Sequence, residues 1–215
     1  NVDPDREHVF NHLVREILSV ADDLLEEVQI EESAQFFFEK SRLNKLRPVL
    51  SLDDFQTVFL QHADSLSVIG LIPEGEERNH RLKQKKNELE NNIRDLFYAV
   101  FTSPRAHNVL IEMYKSFIET SQISDSVKSM FISALTMNIL QRFDQKKIDF
   151  LLNVSNHQES ETALRAMVGI VAIFRKYRNR WSYFSQLNSK IAVMSDDPIF
   201  TKRLMTVLIQ YIQAH

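Results

Sequence analysis

The scarcity of glycine constrains the fold of this chain more than any other feature of its sequence. Glycine accounts for 3 of the 215 residues, whereas average usage is about 7%. Glycine supplies the positive φ that hairpin turns and phosphate-binding loops require. A β fold with many tight turns and a glycine-rich nucleotide loop are therefore nearly excluded. The rest of the composition, 44% apolar and 26% charged, is typical of a soluble globular protein with one domain or two small ones.

Residue types and segments that are missing exclude further classes of protein. The chain has no cysteine, which excludes disulfide scaffolds, zinc ribbons and thiol nucleophiles and leaves the redox compartment open. No apolar run approaches the roughly 18 to 20 residues that span a bilayer, so we expect no membrane span. The start has neither the basic nor the apolar region of a signal peptide. It indicates a trimmed or internal boundary, and the cytoplasm is slightly favoured. The oligomeric state stays open.

The net charge of −3 hides an asymmetry between the two halves. Residues 1–107 carry 13 basic and 20 acidic residues, a net of −7, and residues 108–215 carry 13 basic and 9 acidic residues, a net of +4. The two halves are therefore expected to present different faces to partners.

Apolar residues recur at helical spacing along every long segment, which predicts an all-α protein. In the first segment Asp3 followed by Pro4 is a typical helix start. The run Phe36–Phe38 is assigned to a short helix that ends at Pro48. The first helix has one apolar stripe about seven turns long, made of Val9, Leu13, Ile17, Leu18, Ala21, Leu24, Leu25 and Val28.

The rest of the N-terminal region, residues 1–101, is predicted to be an irregular set of helices. Ser51 opens a helix that stops before Gly70. Residues 69–77 hold two of the three glycines and form the clearest loop. A long charged helix then runs from about Glu77 to Phe101.

The second region, residues 102–215, is predicted to consist of helices with very short connections. Ser103 before Pro104 is a typical helix start, a capping hydroxyl followed by proline. The predicted helices cover roughly 104–120, 124–142, 145–154, 159–178, 180–194 and 197–213.

Two of these helices have similar sequences 32 residues apart, which indicates a repeat. Beyond a two-residue shift the similarity continues at an offset of 34, and a third, partial copy begins at Asp196 with an offset of 37. The matched residues are Ala134 with Ala166, Leu135 with Met167, Ile139 with Val171, Phe143 with Tyr177, and Phe150 with Phe184.

Residues 104–213 resemble the α-solenoid repeats of the HEAT and armadillo type, in which a first helix, a brief turn and a second helix stack on the next pair. The segment from Ser160 to Ile170 is similar to the small-residue first helix of such a repeat. The resemblance implies a superhelix-like array of helix pairs over 102–215, preceded by the irregular N-terminal part or continuous with it. A plain irregular helical bundle is the alternative.

Gly169 lies in the middle of a predicted helix, where glycine costs about 1 kcal/mol relative to alanine. Small residues let helix axes approach one another closely. We therefore expect a neighbouring group to press on this position.

His8, His12 and Glu16 follow one another at four-residue spacing on one face of the first helix. Imidazole pairs at this spacing can bind zinc, but Val9 stands where a metalloprotease motif has glutamate. A further ligand has to come from His62 or His80. A solvated helix face is the preferred interpretation, and a metal-dependent enzyme is an alternative.

The segment 175–183 holds four cations and three aromatic residues. Such a cluster can bind phosphates and stack bases, and tryptophan is frequent among the residues that dominate protein interfaces. A purely structural turn is the competing interpretation, and the pI of about 6.2 argues against nucleic acid. The predicted partner-binding residues are Arg175, Arg178, Arg180, Trp181 and Tyr183.

No catalytic motif is present: the chain lacks Gly-x-Ser-x-Gly, the Walker lysine loop and Gly-x-Gly-x-x-Gly. The sequence therefore predicts a non-catalytic protein–protein interaction or scaffolding module without cofactor. A piece of a longer helical-repeat protein is one form that such a module can take. The alternatives are the metal-dependent enzyme, a nucleic-acid-binding protein, and a regulatory bundle that holds a small effector between its Phe-rich helices.

Overall fold

The structure, a computed structural model, describes residues 4–46, 51–156 and 160–213. Within these ranges the chain forms ten α-helices, one 3₁₀ turn and no strand, which confirms the all-α class. No helix of the described part is long and apolar enough to cross a membrane. The expected cap Asp3 and the expected helix end at Pro48 lie outside the described residues. The helices are α1 Pro4–Glu32, α2 Phe36–Leu46, α3 Leu52–Gly70, α4 Glu76–Phe101, α5 Asn108–Glu119, α6 Asp125–Gln141, α7 Gln145–Ser155, α8 Glu161–Lys176, α9 Ser185–Ser195 and α10 Pro198–Gln213.

Side-chain caps explain several of the helix starts. The hydroxyl of Ser51 accepts a hydrogen bond from the N–H of Asp54, whose carboxylate accepts one in return from the N–H of Ser51. This reciprocal pair is a capping box. Asp144 caps α7 and Ser160 caps α8 through their side-chain oxygens. These residue types satisfy N–H groups that have no partner inside the helix.

Two predicted helix starts are wrong. Helix α5 begins at Asn108 and not at Pro104, because side chains of α6 and α7 bind the polar groups of residues 101–106, as described below. Helix α9 begins at Ser185 and not at 180, because residues Trp181–Tyr183 form the 3₁₀ turn. Tertiary contacts override the local pattern in both segments.

The helices from α3 onward pack in two rows. Helices α4, α6, α8 and α10 contact one another in that order, and α3, α5, α7 and α9 do the same in the second row. The most extensive contact joins α6 and α8. One cluster of buried apolar side chains extends from Ile30 to Val207, so the core continues across residue 101.

Gly169 lies where α8 meets α6, and the neighbour that presses on it is Thr136. A Cβ atom added at Gly169 would lie 2.3 Å from Oγ1 and 2.9 Å from Cγ2 of Thr136. Thr136 is β-branched, so its side chain has little freedom to move within a helix. The expected close approach of two helices at this glycine is therefore present.

We predict that Gly169→Leu lowers the melting temperature by several degrees, because the overpacking costs about 1 to 3 kcal/mol. Gly169→Ala is expected to be destabilising as well, although alanine is the better helix former. Gly70→Ala is the control, since nothing lies within 4 Å of the Cβ it adds. Thermal unfolding of the three variants checks this, and an unchanged melt for Gly169→Leu would contradict the close-packing argument.

Candidate protein interaction surface

The segment between α4 and α5 is held by the buried amino group of a lysine. Lys147 of α7 has no exposed surface, and its Nζ donates to the carbonyls of Pro104 at 2.7 Å and Ser103 at 3.3 Å and to Oδ1 of Asn138 at 2.7 Å. The Asn138 amide donates in turn to the carbonyl of Phe101 at 2.8 Å. The carbonyl groups of this segment are thereby bound to α6 and α7.

Asp144 fixes the residue that follows in the same segment. Its Oδ2 accepts the N–H of Ala106 at 2.7 Å, while its Oδ1 caps α7. Arg105 therefore lies between two anchored residues, and its side chain reaches α1. There it donates to the hydroxyl of Ser19 and, at 2.8 Å, to the carboxylate of Asp23.

Three arginines from separate parts of the chain bind one side of α1. Arg105 follows α4, Arg142 is the C-cap of α6, and Arg180 immediately precedes the 3₁₀ turn. Their partners have the spacing i, i+3, i+4 and i+7, which places them on one side of the helix. We call this set the acidic ridge; it consists of Ser19, Asp22, Asp23 and Glu26.

Two of these ion pairs are largely buried. Arg180 donates to both carboxylate oxygens of Asp22, at 2.5 and 2.7 Å, and this hydrogen bonding raises the pKa of Arg180. The two side chains are 22% and 15% exposed. Arg142 pairs with Glu26, and those side chains are 10% and 19% exposed. Such shielded pairs are less screened by solvent than surface pairs.

The opposite side of α1 is apolar and exposed. At 100° per residue its centre lies roughly 160° around the helix from the acidic ridge. Helix α1 therefore turns its polar side to the protein and most of the predicted apolar stripe outward. We call this set the apolar face; its side chains, each 52–67% exposed, are Val9, Phe10, Leu13, Ile17, Val20, Leu24, Leu25 and Val28.

We call segment 175–183 the basic-aromatic cluster. Two of its predicted partner-binding residues, Arg180 and Trp181, make contacts inside the chain. Trp181 packs edge-on against Phe174, with ring centroids 4.4 Å apart, and its Nε1 donates to the Phe174 carbonyl at 3.2 Å. Arg180 binds the acidic ridge. Both side chains therefore help to hold the turn and α1 in place.

The other three predicted partner-binding residues are placed differently. Arg175 is exposed and lies over the ring of Tyr211, with its guanidinium carbon 5.3 Å from the centroid. Arg178 is exposed and Tyr183 is half-buried. The five predicted residues therefore do not form one open surface.

The three candidate metal ligands lie exposed on α1 but do not converge. Because a helix rises about 1.5 Å per residue, His8 and Glu16 are about 12 Å apart along the axis. His62 and His80, named as possible further ligands, lie on α3 and α4. Within the described residues, no group of three or more His, Asp or Glu side chains has a metal-binding arrangement.

Two cavities flank the attachment of α1. The larger, about 550 Å³, has apolar walls that include Phe55 and Tyr114 and a polar side formed by Glu26, Glu27 and Arg142. Its volume falls within the range of small-molecule sites. The smaller cavity, about 310 Å³, is lined by residues that include His12, Asp22, Arg105, Phe143 and Arg180.

Sequence reasoning missed that the acidic residues of α1 are its attachment side. Carboxylates on a helix usually form a solvated face, whereas Asp22, Asp23 and Glu26 bind arginines of the same chain. The feature of the sequence that could have indicated this attachment is the charge asymmetry between the two halves. Arg142 and Arg180 of the basic half neutralise Glu26 and Asp22 of the acidic half, so part of the imbalance is compensated inside the molecule.

Comparisons of the chain with protein-family models, with curated proteins and with solved structures found no match.

We predict that the free energy of unfolding rises with pH between about pH 7 and pH 10 because of Lys147. Burial lowers the pKa of Lys147 to about 7, against the opposing effect of the Asp144 carboxylate. In the unfolded chain a lysine has its ordinary pKa of about 10.4. In that window the unfolded chain binds a proton that the folded chain has released, so raising the pH favours folding, by at most about 1.4 kcal/mol per unit.

Urea unfolding across this pH range checks the sign, with Lys147→Met as the variant in which the slope disappears. A free energy of unfolding in the wild-type chain that falls over the window would contradict the prediction, whether or not the variant folds.

We predict that Arg180→Gln loosens α1 while leaving the core intact, because it strands the largely buried carboxylate of Asp22 at a cost of about 1 to 3 kcal/mol. Hydrogen exchange of the α1 amides should speed up by roughly tenfold or more, while α6 keeps its protection. Arg178→Gln, an exposed arginine of the same segment, is the matched control and should change neither helix. Equal exchange in both variants would show that the ion pair does not hold α1.

Proposed function

We propose that the protein is a non-catalytic protein–protein interaction or scaffolding module, and that the apolar face of α1 is its docking surface. The single observation that carries the proposal is the orientation of α1, which is attached through its acidic ridge and leaves its apolar side uncovered. The absence of catalytic motifs from the sequence supports the non-catalytic part.

The size of the apolar face supports docking of a protein. From the exposed fractions of its eight side chains, its area is on the order of 800 Å². The largest apolar patch of a typical monomer is about 300 to 600 Å², and larger ones mark interaction sites. A standard protein interface takes about 800 Å² from each partner. The face is therefore large enough to support a stable complex by itself.

The predicted contact residues of the basic-aromatic cluster have two roles in this proposal. Arg175 and Arg178 are exposed and can contact a partner, and Tyr183 is half-buried. Arg180 and Trp181 contribute through the attachment of α1 and through the turn that presents the exposed residues.

We also propose that residues 104–213 form a HEAT-like stack of helix pairs. Support comes from the two rows, in which every second helix contacts the next, and from the matched Ala134 and Ala166, both fully buried between neighbouring helices. Stacks of this kind present extended surfaces to partners.

Affinity capture from cells of the source organism tests the docking surface. We expect Ile17→Asp, which places a carboxylate in the middle of the apolar face, to reduce recovery of bound protein by about tenfold or more. Val68→Asp is the matched control, since Val68 of α3 is 62% exposed and Ile17 is 67% exposed. Equal recovery of bound protein with Ile17→Asp would contradict the assignment of the docking surface to the apolar face. A loss of recovery confined to Arg178→Glu would assign the docking surface to the basic-aromatic cluster.

A further inference from the structure

We propose that the occupant of the apolar face is a second copy of this chain, with the two α1 helices packed antiparallel about a twofold axis. This inference rests on the proposed docking surface and narrows its partner to the chain itself. It draws on the spacing of the apolar residues, the distribution of charge along α1 and the available area.

The centre of the apolar face has the spacing of a helix-pairing seam. Phe10, Leu13, Ile17, Val20 and Leu24 alternate intervals of three and four residues, the a and d positions of a heptad repeat. All five are more than half exposed. The three arginines approach α1 from the other side, so the seam is open to a helix lying along it.

Antiparallel pairing matches four of the five seam residues to one another, and the fifth, Phe10, lies opposite Glu27 of the second copy. When a positions face d positions, Ile17 lies opposite Val20 of the second copy, and Leu13 lies opposite Leu24 of the second copy. By symmetry the same two contacts recur, which gives four apolar layers centred between residues 18 and 19. A twofold contact of this kind needs one patch that is complementary to itself.

The charges at the two ends of the face select the antiparallel direction. Arg6 lies at the N-terminal end, where it lines the same surface depression as Phe10 and Leu13. Glu27 and Glu31 are exposed at the C-terminal end. The antiparallel register places Arg6 opposite Glu31 of the second copy, twice by symmetry. A parallel pair would bring like charges together at both ends.

The area agrees with a stable dimer. Two apolar faces bring together on the order of 1,600 Å², within the roughly 1,200 to 2,000 Å² of specific interfaces. Another protein with a basic amphipathic helix is the competing occupant, and the experiment distinguishes the two.

Light scattering coupled to size-exclusion chromatography at micromolar concentration measures the mass of the full chain. We expect twice the 25.2 kDa of one chain. Ile17→Asp should raise the dimer dissociation constant by about 100-fold or more, because two carboxylates become buried in the seam. Val68→Asp should remain dimeric. The helix content of both variants, measured by circular dichroism, should match that of the wild type, since both residues are exposed.

Cysteine cross-linking tests the direction and the register, because the natural chain has no cysteine. Leu13→Cys and Leu24→Cys should form a disulfide when the two variants are mixed. Neither should cross-link by itself, since copies of the same position lie about 16 Å apart along the antiparallel pair and a disulfide needs Cα atoms within about 7 Å. Cross-linking of each variant with itself would indicate a parallel pair and overturn the proposed arrangement.

The results separate this inference from the proposed function. A wild-type chain that stays monomeric, or a dimer unaffected by Ile17→Asp, overturns the second copy as the occupant. If the monomer still captures another protein and Ile17→Asp abolishes that capture, the docking surface stands with a different partner. If neither self-association nor capture depends on Ile17, the docking surface itself is wrong.

Discussion

The hydrogen bonds of the buried Lys147 amino group are the interaction on which the arrangement of this molecule depends. A buried amino group is costly, whether charged or neutral, unless hydrogen-bonding partners surround it. Here oxygens of Ser103, Pro104 and Asn138 do so, with the Asp144 carboxylate close by. In satisfying Lys147, residues 102–107 give up helical structure and bind α6 and α7. Arg105, carried by the same segment, is thereby positioned to reach α1.

The attachment of α1 along its acidic ridge is electrostatic, which sets it apart from the rest of the fold. Rows of helices pack through apolar side chains, whereas the ridge is held by Arg105, Arg142 and Arg180. Apolar packing contributes near the C-terminal end of α1, where Ile30 is buried in the core. Ion pairs contribute less to stability than the burial of a comparable apolar surface, because each charge loses hydration. The exposed apolar side of α1 therefore contributes little hydrophobic stabilisation to the isolated chain. A partner bound as proposed would cover the apolar face and favour the docked helix, so its binding would be coupled to the ordering of α1.

The sequence predicts the helices well because caps and periodicity are local properties. Ser51, Asp144 and Ser160 mark helix starts that the structure also has, and Gly169 signals a close helix contact. The pair Ser103 and Pro104 fails as a start because Lys147 and Asn138, more than thirty residues away, bind the same backbone. For α1, periodicity identifies which residues share a face, but it carries no information about which face meets the protein. That choice depends on three arginines whose positions only the tertiary structure supplies.

The ion pairs of α1 also explain part of the charge asymmetry of the chain. Asp22, Asp23 and Glu26 are neutralised within the molecule, so the acidity that a partner meets on α1 comes from its C-terminal end. Glu27 and Glu31 remain exposed there, and Arg6 is the opposite charge at the other end. A helix with an apolar centre and opposite charges at its ends is complementary to its own reversed copy. Arg142 and Arg180 thus offset two of the seven net negative charges in the first half of the chain, which lowers the repulsion that opposes self-association.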